Sequence, residues 1–170
     1  TDAATKNYVD TTAQGLSVKA SVTLATTTTL PAYTYNNGSS GVGATITANA
    51  NGALSLDGTA VTATSRVLIK NEVGAYVNTT TQSAAFNGIY VVTQTGNATA
   101  AYILTRSTDF DQWSEVPSAF VFVESGSTNA DTGWVSIADA GGTMGTTQIT
   151  WSQFSGAGSY TAGTGLTLTG

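Results

Sequence analysis

The sequence predicts an all-β fold of about eight to ten strands, a sandwich or a partly closed barrel, with a short N-terminal helix and an extended C-terminal strand. Three observations carry this prediction. Arg66-Val67-Leu68-Ile69-Lys70 and Phe86-Asn87-Gly88-Ile89-Tyr90-Val91-Val92 are short, almost continuously apolar runs rich in β-branched and aromatic residues, the pattern of strands covered on both faces. Phe120-Val121-Phe122-Val123-Glu124 repeats that pattern. Further short runs alternate apolar and polar residues between turns rich in Gly, Asn and Thr.

Taken in order, residues 1–17 form a helical and oligomerisation or attachment segment, 18–155 a β-domain, and 156–170 a Gly/Thr-rich linker or the start of a following module. In the first segment Asp2 suits an N-cap and Gly15 a C′ position. Ala4, Tyr8 and Thr12 share one face with Val9 and Ala13 beside it. So narrow an apolar stripe either docks on the chain's own β-domain or self-associates around an axis, which makes Tyr8 and Val9 candidate oligomer contacts. From Val18 to Leu24 the period becomes two, predicting a half-exposed strand that ends before Pro31.

Residues 31–52 carry the Gly and Asn density of a loop, with Asn37-Gly38 also fitting a tight turn. A short strand is expected at Ala44-Thr45-Ile46-Thr47-Ala48, and a hairpin turning at Asp57-Gly58. Beyond the paired apolar runs and the polar loop 71–85 between them, strands are expected at 102–106, 120–124, 133–137 and 149–154. The acidic segment Asp109-Phe110-Asp111-Gln112-Trp113-Ser114-Glu115 reads as a loop or one helical turn before Pro117. In the tail, Leu166-Thr167-Leu168 resumes alternation. Such a strand pairs with a neighbouring subunit or a following module, or stays unpaired, and Leu166 and Leu168 are candidate oligomer contacts.

Composition narrows the function. Charged residues make up 9% of the chain, far below the ~25% of an ordinary soluble domain, so hydroxyls and amides must dominate the surface. The net charge of −5, with five scattered cations, argues against a nucleic-acid partner, because phosphate binding needs clustered Lys and Arg. Nothing approaches the ~18 apolar residues of a membrane span, so no membrane insertion is expected. Cysteine and histidine are both absent. That removes the Ser/His and Cys/His nucleophilic arrangements and the usual ligands of zinc, copper and iron, so neither an enzyme nor a cofactor is expected.

Asp2-Ala3-Ala4-Thr5-Lys6-Asn7-Tyr8-Val9-Asp10 resembles the D-A-x-x-K-x-Y-V-D helix that recurs in bacteriophage tail-fibre and related virion proteins. The runs at 15–22, 66–70, 87–92, 104–109, 119–124 and 129–135 resemble, in the same order, the β-module that follows it there. Ala162-Gly163-Thr164-Gly165-Leu166-Thr167-Leu168-Thr169-Gly170 is similar to the linker between fibre modules. The resemblance implies a tail-fibre or spike component, homotrimeric, serving host attachment and located in the virion after assembly in the host cytoplasm. Its partners would be itself, other tail or capsid proteins and a bacterial surface glycan or protein. The alternatives are a capsid-decorating or adaptor module without receptor contact, and a glycan-cleaving spike.

Cleavage of a glycan needs two carboxyls roughly 5–9 Å apart, so Asp109 and Asp111 are the pair to consider. The sequence favours structural roles, Asp109 beside Arg106 as a surface pair and Asp111 in a turn. With Glu115 the two also offer oxygens to a hard cation, without the spacing of a defined calcium loop. Trp134 and Trp151 lie within strand patterns and read as core. Candidate ligand-binding residues are Trp113, in the acidic segment, and Tyr33, Tyr35 and Tyr76, placed in Asn/Gly-rich loops of the kind adaptable binders use.

Overall fold

A computed structural model of the chain describes residues 15–155, and strands account for nearly all of the regular structure there. Residues 1–14 and 156–170, and with them the expected N-terminal helix and C-terminal strand, lie outside the described residues.

Among the described residues twelve strands fall into three sheets. The larger sheet has six, in the order β2 (Leu24–Ala25), β7 (Arg66–Ile69), β8 (Gly88–Gln94), β9 (Ile103–Arg106), β4 (Thr45–Ala48) and β3 (Tyr33–Asn36). The second has four, in the order β1 (Ser17–Val18), β10 (Ala119–Val123), β11 (Thr132–Ser136) and β12 (Trp151–Ser155). A hairpin of β5 (Ser55–Leu56) and β6 (Thr59–Ala60) forms the third. The sheets do not close into a barrel. Twelve strands exceed the expected eight to ten because β1, β2, β5 and β6 are two residues long, too short to show a period in the sequence.

The six-stranded sheet explains the continuous apolar runs. On one face Val67 pairs with Tyr90, Val92 with Leu104 and Tyr35 with Ile46, and all enter a core closed by Leu30, Leu54, Leu56, Val61 and Phe86. On the other face Ala25, Leu68 and Ile89 meet Ala119, Val121, Val123 and Trp151 of the four-stranded sheet in a second core. A strand covered on both sides must be apolar at consecutive positions, and β7 and β8 are.

The expectation of double cover fails for β10. Ala119, Val121 and Val123 are buried, but Phe120 is half-buried and Phe122 is 39% exposed, because the outer face of the four-stranded sheet carries no further layer among the described residues. The half-exposed strand expected from Val18 is also different. Its residues start in one sheet and finish in the other: Val18 pairs with Phe120, Val22 bridges to Val123, and Leu24 pairs with Val67.

The hairpin at Asp57-Gly58 forms as expected. Both residues have positive φ, 48° and 78°, the geometry of the two-residue turn that suits strand twist. Asn37-Gly38 is not a two-residue turn; β3 and β4 pair through a longer connection, with Asn36 opposite Thr45.

Candidate functional site

Arg66 opens β7, and its guanidinium reaches the segment after β9. Its Nη2 lies 2.9 Å from Asp109 Oδ2, and the Ser107 hydroxyl donates to Asp109 Oδ1 at 2.6 Å. Burial works to raise the Asp109 carboxyl, but the Ser107 hydroxyl and the Arg66 guanidinium outweigh it and hold the group below the usual carboxylate range. The expected partner was Arg106, and this is corrected. Arg106 shares its strand face with Leu104, so the period of two carries it inward, to 2% exposure. There it donates to the Asn87 carbonyl at 3.1 Å and the Tyr35 hydroxyl at 3.3 Å, with its guanidinium carbon 4.8 Å from the Tyr90 ring centroid.

Asp111 is 4% exposed, and burial followed by repulsion from Glu115 pushes its carboxyl up. Glu115 accepts the amides of Asp111 at 3.0 Å and Gln112 at 3.1 Å, closing the single helical turn Trp113–Glu115. Asp109 is thus committed to Arg66 and Ser107, and Glu115 to the helical turn. Among the described residues no group of three Asp or Glu is arranged to hold a metal ion.

Two buried carboxylates went unnoticed in the sequence. Asp57, in the β5–β6 turn, accepts the Thr128 amide at 3.0 Å, the Asn129 amide at 2.7 Å and the Asn129 side-chain amide at 3.1 Å. Burial opposes its ionisation, yet the Asn129 and Thr128 donors hold it below the ordinary range. Glu72 is 2% exposed and accepts the Leu30 amide at 2.7 Å and the Tyr33 hydroxyl at 2.9 Å. Among the described residues no salt bridge offsets its burial, so its carboxyl is pushed up despite those two bonds. Beside it Asn87 spans three segments, accepting the Glu72 amide and donating to the carbonyls of Glu72 and Ile149. These groups fasten loops to the two sheets; none faces a shared cavity.

The aromatic candidates separate. Tyr33 and Tyr35 lie on β3, each 1% exposed, and Tyr35 stacks on Phe86 at 4.1 Å between centroids. Their placement in an exposed loop is corrected, since both side chains are core. Tyr76 does lie in a loop, 38% exposed, with Val73 and Val77 exposed on either side. Trp113 is half-buried; its indole donates to the Asp139 carbonyl at 3.1 Å and its ring lies against Gly142. Trp151 is core as expected, whereas Trp134 is half-buried with Lys70 Nζ 3.9 Å from its ring centroid. The oligomer candidates Tyr8, Val9, Leu166 and Leu168 lie outside the described residues.

Two open clefts flank the Pro31 bend. One, of about 390 Å³, is lined by Thr26 to Thr29 and by Asp57, whose carboxylate is already occupied. The other, of about 450 Å³, is lined by Asn49, Asn51, Leu54 and Tyr102 and by no ionisable acid or base apart from that phenol. Neither gathers an acid and a base. No family model matches the chain, and no curated protein or solved structure matches it either.

Proposed function

We propose that the chain is a structural module of a bacteriophage tail fibre or spike, assembled with copies of itself and contributing to host attachment. One observation carries this reading: the polar residues of the fibre-like motifs are spent on holding the scaffold. Arg66 fixes the segment after β9, Asn87 joins three segments, Arg106 fills the core between Tyr35 and Tyr90, and Asn129 locks the β5–β6 turn. A chain whose motif residues serve architecture in this way reads as a building block. Attachment would then work by avidity, since copies on one particle turn later weak contacts into effectively intramolecular ones.

The second reading, a decorating or adaptor module without receptor contact, is favoured by the burial of Tyr33 and Tyr35, which leaves the loop around Tyr76 as the main exposed aromatic surface among the four candidates. Electron microscopy of intact particles labelled with an antibody against this chain separates the two. Label on a tail appendage supports attachment, label over the head supports decoration, and particles carrying none of the chain overturn both.

A further inference from the structure

We propose that the outer face of the four-stranded sheet is the surface on which a second copy of this chain docks; the proposal rests on the self-assembly reading and names its interface. Val18, Phe120 and Val135 form one row across β1, β10 and β11. Phe154 of β12 meets Phe120 edge-on at 5.8 Å, and Phe122 continues along β10. Ile137 joins them because Ser136 points inward, buried beside Trp151, so its neighbours point out. Val18 is 73% exposed, Phe154 62%, Ile137 58% and Phe122 39%.

Three features identify the occupant. The run Ala119–Val123 carries the same consecutive apolar pattern as β7 and β8, which are covered on both sides, yet its second cover is missing within this chain's described residues. Next, none of the six side chains is ionisable, while the chain carries a net charge of −5. Identical acidic molecules repel, so they approach most cheaply through an uncharged surface, and an apolar patch is self-complementary without charge pairing.

Area supplies the third feature. The exposed apolar surface is roughly 400–500 Å², if each free side chain presents on the order of 150–200 Å². A standard interface buries about 800 Å² per partner, so the sheet face supplies about half. Fourteen residues precede Gly15 and fifteen follow Ser155, and they join the fold at β1 and β12, the two outer strands of this same sheet.

The test compares the full chain with a Phe122→Ser/Phe154→Ser double variant by light scattering at micromolar concentration, with thermal melts as a check on folding. Because the chain has no cysteine, Ile137→Cys and a control Ala98→Cys on the exposed loop 97–100 are also labelled with maleimide. The proposal expects a wild-type multimer, a double variant at the 17.2 kDa of one chain, and a dissociation constant raised about a hundredfold or more. It expects the thiol at position 137 to label at least about tenfold more slowly than the thiol at position 98 in the multimer, and at a comparable rate after dilution to monomer. A wild-type multimer whose double variant keeps its mass, or whose position 137 labels as fast as 98, overturns this face and leaves self-assembly standing. A monomeric wild type overturns both. If the double variant fails to fold, labelling at 137 decides alone.

Discussion

Replacing Asp57 by Asn keeps the shape of the side chain and a residue that tolerates the left-handed turn, while removing the charge. In the native fold Oδ2 receives the Asn129 amide at 2.7 Å, the Thr128 amide at 3.0 Å and the Asn129 side-chain amide at 3.1 Å. An asparagine oriented with its oxygen in that place keeps these bonds but makes them neutral. Bonds to a charged group contribute about 1.5–3 kcal/mol and neutral ones about 0.5–1.5, so two backbone bonds weakened in this way cost about 2 kcal/mol together. Gly126 leaves no slack for the side chain to shift, since a Cβ there would sit 2.3 Å from Oδ2.

The pH dependence follows from the sign of the shift. A carboxyl held below its unfolded value adds stability above about pH 3.9, lost as pH falls through the folded value. Urea melts of both proteins from pH 7 to pH 2 are the assay. A gap of about 2 kcal/mol at pH 7 that closes towards pH 2 is expected. A gap under about 0.5 kcal/mol at pH 7, or one that stays constant to pH 2, refutes the reasoning.

Glu72 carries the opposite sign: raised above its unfolded value by burial, it makes native stability fall as pH rises from about 4.3 through its folded value. Glu72→Gln should flatten that slope and match or exceed the native protein at pH 8 in the same melts. Asp109→Ala should cost at most about 1 kcal/mol, because the ion pair with Arg66 is partly exposed; it should also leave any release of sugar from envelope polysaccharide unchanged, a result a glycan-cleaving centre would not give. Gly142→Ala places a Cβ 2.1 Å from the Trp113 ring, so the indole must leave its seat, read as red-shifted tryptophan emission with no more than about 1–3 kcal/mol of lost stability.

Much of the larger sheet was legible because its chemistry is local. Val67, Leu68 and Ile69 announce a strand buried on both sides, and in the separate β5–β6 hairpin Asp57-Gly58 announces the turn. The tyrosines of β3 were misplaced although Tyr33-Thr34-Tyr35-Asn36 has a strand's period of two, because the Gly/Asn-rich stretch after it outweighed four residues. Arg106 read as a surface cation because charged residues are rarely buried, and only the pairing of β9 with β8 shows that it faces Tyr90. Asp57 with Asn129, and Glu72 with Tyr33, join residues 72 and 39 positions apart, a distance at which local spacing says nothing. Phe120 and Phe122 gave the correct pattern with an unexpected outcome: two apolar faces were legible, but not which molecule covers the second.

Both the functional reading and the proposed interface require that this chain assemble with itself. Light scattering of the 170-residue chain across a micromolar dilution series measures that directly. A mass of at least two 17.2 kDa chains, falling on dilution or on loss of Phe122 and Phe154, is what they predict. A single-chain mass at every concentration, with Ile137 and Phe154 still open to solvent, contradicts them.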